Sequence, residues 1–460
     1  MMFTPKTAIP AFHREAACWP LAEEHTMMIR VCKKALVGVA MTVAAALAWA
    51  PPCFGGDDNP DQVLEWNQIF IDTLIATNVA NASSPRLGAT VHTAIFDAFN
   101  GIEQRYRPIF VHSSAPPGAS RRAAVIAAAH TALVGLFPTR QTALDASYEA
   151  SLAALSDDGG DGGQSRERGI AWGTEVAQAV LAWRASDRFN DPYPPFTGGT
   201  AVGQWRPTPP ALAPMSAQGL AFSEMFVLVN NTQFAPGSPR GLTSATYSDD
   251  FNAVKALGRK TGSTRTAEQT ALAPFWDANA SIHWNQAANQ IARANHLSLS
   301  ASNRLLAVLN IAMADTMFTT WNGKRHFGSL ATEVTWRPVT AIALADIDPN
   351  PDTIADPTWA PLINTPAHPE YPAGHPSLNG AAATVLLSQF DDAQTFTLTT
   401  NGQPSRTYSS ISQARSDGNS ARVWGGMHYP STVSISDAEG EAIATYVNQY
   451  AMQRLHAERH

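Results

Sequence analysis

The chain has 460 residues, 45% hydrophobic and 15% charged, with a formal net charge of −7. This length allows two domains or one large domain with an elaborate core, and the acidic balance excludes a protein built to coat nucleic acid. The 32 prolines gather in connecting stretches and leave long helical patterns intact.

Residues 1–56 read as a leader. From Met28, a basic start (Arg30, Lys33, Lys34) precedes an apolar run over 35–50, then small residues and a turn. This is the pattern of a secretory signal peptide cut near Gly55 or Gly56, and the run is short for a membrane span; the alternative is a retained membrane anchor. Residues 1–27 read as an upstream extension or a misplaced start codon. Export predicts a secreted or periplasmic protein. Cys18, Cys32 and Cys53 all fall in the leader, so the predicted mature chain, 57–460, has no disulfide, thiolate metal site or cysteine nucleophile.

Helical periodicity then dominates. Val63, Trp66, Ile69, Phe70, Leu74 and Ile75 mark a helix over 61–80, and Leu87, Val91, Ile95 and Phe99 one over 86–103. Further helices are predicted at 119–135, 139–155 and 166–186, with a flexible SDDGGDGGQS loop at 156–165. Residues 187–217 read as a surface excursion. Helices return at 218–230, 249–259, 266–277, 281–295 and 300–320. A proline- and aspartate-rich connection spans 343–371, and long connections of this kind are often functional. Turn residues at 401–404 suggest one short hairpin within 396–409. Ser436 and Glu439 have capping-box spacing, ahead of a helical face of Ile443, Tyr446, Val447, Tyr450 and Leu455. The reading is all-α: a leader (1–56), an N-terminal helical region (57–217) and a C-terminal helical region (218–460).

Three stretches carry candidate chemistry. In EYPAGHPSLNG (370–380), His375 and Gly374 stand at a predicted helix start, with Pro376 at its first position. Free N–H groups and the helix dipole favour an anion there, although a histidine that merely caps a helix fits the same pattern. In SARVWGGMHYPS (420–431), Arg422 and His428 flank Gly425 and Gly426; a guanidinium matches the oxygens of a phosphate-like group, and histidine can bond to its centre. In WNGKRHF and TWRPVTAI, Lys324, Arg325 and Arg337 supply cations, with surface charge the plain reading for whichever of Lys324 and Arg325 does not reach a site.

Together these stretches resemble the three-part signature of the type 2 phosphatidic acid phosphatase (PAP2) and vanadium-dependent haloperoxidase superfamily, over residues 324–428. RTAEQTALAPFW (265–276) and WRPVTAI are similar to its bacterial haloperoxidase-like branch. The resemblance implies a helical bundle whose N-terminal half packs on a catalytic C-terminal bundle. It implies that Arg337, Arg422, Lys324 and the Gly374 N–H bind the oxygens of vanadate, or of phosphate in the same site. His428 would be the vanadium ligand, or the nucleophile of a phosphatase, and His375 the general acid–base. Hydrogen peroxide and a halide, or a phosphate monoester, would be the substrates. A non-catalytic anion-binding protein is the third reading, and a homodimer is implied by the resemblance alone.

The chain departs from the pattern in three places. Twelve residues separate Lys324 from Arg337 where the family has six, and removing GSLATE (328–333) would restore the register. Ala373 replaces the usual serine, for which Ser377 is a candidate substitute. Thr432 stands where an aspartate usually orients the second histidine, so His428 should be less basic, with Asp437 nearby in sequence. His326 is a further candidate for a pocket wall or halide neighbour. His92 and His130 read as packed core, His283 and His296 as flanking a helix, and His456 and His460 as tail. Asp97 and Asp315 read as buried hydrogen-bond acceptors. There is no HExxH and no tight Asp/His cluster of a divalent-metal site.

Overall fold

The computed structural model describes residues 61–155, 163–330 and 333–455. The leader with its three cysteines, most of the 156–165 loop, Ala331, Thr332, His456 and His460 lie outside the described residues.

Asp61 starts the first helix, α1 (Gln62–Thr77), by accepting the N–H groups of Val63 and Leu64 at 2.9 and 3.1 Å. Asn78, in the left-handed conformation, ends it. The next helices are α2 (Ser84–Glu103), α3 (Arg121–Leu136), α4 (Gln141–Ala153) and α5 (Gln164–Ala185). After a long excursion come α6 (Ala245–Leu257), α7 (Ala267–Phe275), α8 (Ala280–Ala294) and α9 (Leu299–Phe327). Short α10 (Pro338–Ala343) and the connection lead to α11 (Gly374–Leu387). The hairpin β1 (Phe396–Leu398) and β2 (Arg406–Tyr408) pairs antiparallel, Phe396 opposite Tyr408. Helices α12 (Ile411–Trp424) and α13 (Pro430–Tyr450) complete the bundle.

The fold is all-α apart from that hairpin. Helix α9 is central, packing on α2 and on α11 and α13. It is long because its apolar positions continue past 320, and Ser298 caps its start. One apolar core runs through these helices, from Val63 and Phe70 through Leu305 and Phe318 to Val447; each fully buried aliphatic or aromatic side chain contributes roughly 1.5–3 kcal/mol. Helices α11 and α13 touch backbone to backbone: a Cβ on Gly440 would lie 1.9 Å from Ser377 O, and one on Gly380 2.1 Å from Asp437 O.

Two local readings are corrected. Residues 218–230 form only a 3-10 turn at Gln218–Phe222, because the buried Asp315 carboxylate captures the N–H groups of Phe226, Val227 and Leu228 at 2.7–3.0 Å. Those donors are lost to any α-helix. Asp97 does the same to Ile109, Phe110 and Val111 at 2.8–2.9 Å, so both aspartates are the acceptors anticipated. Ser436 and Glu439 do not cap a helix, since α13 begins six residues before Ser436 at Pro430. Ser436 Oγ accepts the Ala373 N–H at 2.7 Å. Glu439 Oε2 accepts the hydroxyls of Ser377 and Thr320 at 2.9 and 3.1 Å. The pair ties α13 to the start of α11 and to α9.

Candidate active site

A cavity of about 270 Å³ opens where α11, the end of α12, the connection before α11 and the α1–α2 loop converge. Gly374, His375, Arg422 and His428 all line it. Residues that were 54 positions apart in sequence thus share one wall. They share it with Asn81, Asp277, Trp321 and His368, which sequence reasoning did not single out.

Gly374 opens α11, so its N–H is one of the first-turn donors without an intrahelical acceptor. His375 follows it, and Pro376 falls within the same turn rather than at the first position. His375 Nε2 lies 2.7 Å from the Asn81 side-chain amide nitrogen and 3.2 Å from Ala278 O. Burial, then the Arg422 charge, holds its pKa well below the usual histidine value.

Arg422 is held from one side only. Its terminal nitrogens donate to Trp276 O and Asp277 Oδ1, both at 3.1 Å, and one contacts Met427 Sδ. Its Nε is buried with no partner. Arg422 thus lines the cavity as a buried guanidinium that keeps one donor without a protein acceptor, a residue that fits an acceptor ligand. Burial lowers the pKa of this guanidinium, and Asp277 raises it back.

Arg337 lies behind two of the wall histidines. One terminal nitrogen is 2.8 Å from Met427 O and 2.9 Å from His428 Nε2, and the other is 2.8 Å from His368 Nδ1. Its Nε donates to His368 O at 2.9 Å. Burial brings its pKa down to about 9, although Glu370 opposes the shift. As Arg337 can only donate, both histidine nitrogens facing it are unprotonated.

His428 has a carboxylate after all. Its Nδ1 donates to Glu370 Oε1 at 2.9 Å. Glu370 also accepts the Tyr429 N–H at 3.1 Å, and its second oxygen takes the Thr432 hydroxyl at 3.0 Å. Thr432 is therefore a link to the carboxylate rather than a loss of it. Burial pushes Glu370 up to about 7, with Arg337 and the Tyr429 N–H pulling back. Burial, then Arg337, holds His428 well below its usual value. The result is a neutral ring whose Nε2 lone pair points away from Glu370. Asp437 is no substitute partner: it is held by Arg415 and Asn419 at 2.7–2.8 Å.

The remaining candidates sort by place. Lys324 is fully buried, donates to backbone carbonyls of the 369–372 segment, and does not line the cavity. Arg325 is exposed, 4.9 Å over the Phe222 ring. His326 is likewise exposed and forms no part of the wall, which corrects its reading as a halide neighbour. Ser377 does not replace the missing serine, because its hydroxyl donates toward Ala373 O and Glu439. His92 is fully buried against Asn67, His130 is partly exposed and bonded to Asp145, and His283 is buried inside α8.

Residues 304–457 match the family model of the VCPO second helical-bundle domain. The structure is similar to a bacterial vanadium-dependent iodoperoxidase, with a TM-score of 0.74 and 22% identity over 87% of this chain and 98% of the other. It is also similar to a bacterial vanadium-dependent chloroperoxidase. The apo form aligns with a TM-score of 0.63 and 17% identity over 80% and 94% of the two chains. The holo form aligns at 0.61 and 17%, over 80% and 91%. No curated protein matches in sequence. The C-terminal third of the chain thus matches the VCPO second helical-bundle domain, and most of the chain shares the fold of these haloperoxidase structures.

Proposed function

We propose that this protein is an exported haloperoxidase-type enzyme that oxidises halide with hydrogen peroxide at a vanadate held by His428. The observation that carries the reading is the His428–Glu370 pair beside an arginine with a free donor. A neutral imidazole, fixed by a carboxylate on Nδ1, keeps an unprotonated Nε2, which accepts from Arg337 at 2.9 Å in the anion-free protein.

The residues present fit an oxyanion. Arg422 and Gly374 line the wall, and neither the Arg422 Nε nor the Gly374 N–H has a protein acceptor. Arg337 is a second cation, whose hydrogen bond to His428 Nε2 must open before that nitrogen can ligate. Bound vanadate supplies the capacity to activate peroxide toward halide. The protein's part is electrostatic: preorganised donors in a largely buried site stabilise charge without reorganising. His375, neutral and steadied by Asn81, is placed to accept or return a proton at its cavity side. Trp321, Met317 and Leu378 contribute apolar surface to the wall. Export rests on the 28–56 sequence pattern.

The test uses the chain from residue 57, prepared without phosphate, with orthovanadate, hydrogen peroxide and bromide or iodide, following halogenation of a phenol-type dye. Halogenation that requires vanadate and is blocked by phosphate supports the reading. Hydrolysis of p-nitrophenyl phosphate that vanadate inhibits, with no halogenation, moves the protein to phosphoryl transfer through His428. Anion binding without either turnover leaves an anion-binding protein.

A further inference from the structure

We propose, resting on the oxyanion-site reading, that Lys324 is a positioning residue and not a donor to the anion: its ammonium fastens the 369–372 segment to the end of α9. That segment carries Glu370, which holds His428, and it leads directly into Gly374 and His375. One lysine thereby sets both histidines.

The donor count supports this. Lys324 Nζ donates to Pro369 O at 2.8 Å, to Glu370 O at 3.4 Å and to Pro372 O. An ammonium has three protons, and three carbonyls take them. A bound oxyanion could claim one only by leaving a buried carbonyl without its donor. Lys324 is fully buried and absent from the cavity wall; Trp321, whose ring lies 5.6 Å from its Nζ, stands on that wall.

Packing on both sides agrees. A Cβ on Gly323 would lie 3.0 Å from the Pro372 ring, and one on Gly328 2.8 Å from the Pro369 ring. The last turn of α9 therefore touches the segment before and after Lys324. Helix α9 runs to Phe327 and Arg337 stands at the N-cap of α10, so Lys324 is set by the end of one helix and Arg337 by the start of the next.

The experiment is nitrogen NMR on the exported chain labelled at lysine and histidine. In the anion-free wild type, a protected Lys324 ammonium signal is expected, and its absence overturns the proposal. On titration with orthovanadate, and separately with phosphate, that signal should stay while the Arg422 Nε signal, followed by arginine labelling, moves. A Lys324 signal that shifts with occupancy makes it a direct donor and overturns the proposal. In Lys324→Met without any anion, the His428 Nδ1–H signal should shift or broaden, and anion affinity should fall at least tenfold. Weaker binding with the anion-free His428 signal unchanged again means a direct donor. If neither anion binds the wild type, the function proposed above fails, while the anion-free signals still decide the role of Lys324. If the variant does not fold, the wild-type signals decide it.

Discussion

Nδ1 of His428 stands 2.9 Å from Oε1 of Glu370, although 58 residues separate them in sequence. The carboxylate that orients this ring comes from the connection before α11, not from the helix after the ring. The pairing joins two segments that sequence order keeps apart, and its consequences can be measured.

Glu370→Gln should keep most of this geometry and remove the charge. The amide oxygen can still accept from Nδ1, but His428 Nε2 becomes a poorer ligand. Vanadate affinity should fall roughly 10- to 100-fold, the usual effect of losing such a partner, with little change in melting temperature. Glu370→Ala should instead unfold more easily, by roughly 1–3 kcal/mol for each buried donor left unpaired. Equal vanadate affinity in Glu370→Gln and wild type, read by ultraviolet difference titration, would refute this role.

Glu439 gives a pH dependence of stability. Burial raises its folded pKa to about 8, against 4.5 for the free side chain, and the Ser377 and Thr320 hydroxyls oppose the shift. The folded protein thus keeps a proton that the unfolded chain releases above pH 4.5. The stabilisation is complete below that pH and is lost as pH rises through about 8. Glu439→Gln should remove this slope and gain relative to wild type at pH 8.5 compared with pH 5. Urea melts at the two pH values check it; parallel slopes for both proteins would count against it.

Asp315 tests the correction at residues 223–230. It accepts three consecutive N–H groups. Asp315→Asn keeps one acceptor oxygen and turns an amide toward the other donors. Destabilisation of about 2–4 kcal/mol is expected, with faster hydrogen exchange at Phe226, Val227 and Leu228. Unchanged exchange there would mean that the loop holds itself.

The helices were legible because apolar spacing repeats locally, and the anion motif because each piece is contiguous. The partners were not legible. Asn81 comes from the α1–α2 loop and Asp277 from the α7–α8 loop, and no periodicity marks a loop residue that turns inward. His368 and Glu370 lay in plain view, seven and five positions before His375, inside a proline-rich run. An acidic residue in HPEYPAGH, next to an anion motif, is a signal that sequence reading could have weighed. The 218–230 prediction failed because a distant aspartate outbid the local helix for three donors. The Ser436–Glu439 spacing failed because both side chains satisfied other helices instead of their own.

Asn81 and Arg422 should separate proton handling from anion binding. Asn81 lies 2.7 Å from His375 Nε2 and reaches none of the arginines. Asn81→Ala frees one side of that ring, so the acid limb of kcat against pH should move while vanadate and phosphate affinities stay within about twofold. Arg422→Lys should do the reverse. A lysine cannot span Trp276 O and Asp277 and still keep a second donor nitrogen unclaimed. Loss of a charge-assisted bond costs roughly 1.5–3 kcal/mol, so anion affinity should fall about 10- to 100-fold. Calorimetric titration with phosphate reads this without turnover. If Asn81→Ala weakens phosphate binding as much as Arg422→Lys does, the two walls are not independent, and His375 belongs to the anion site itself.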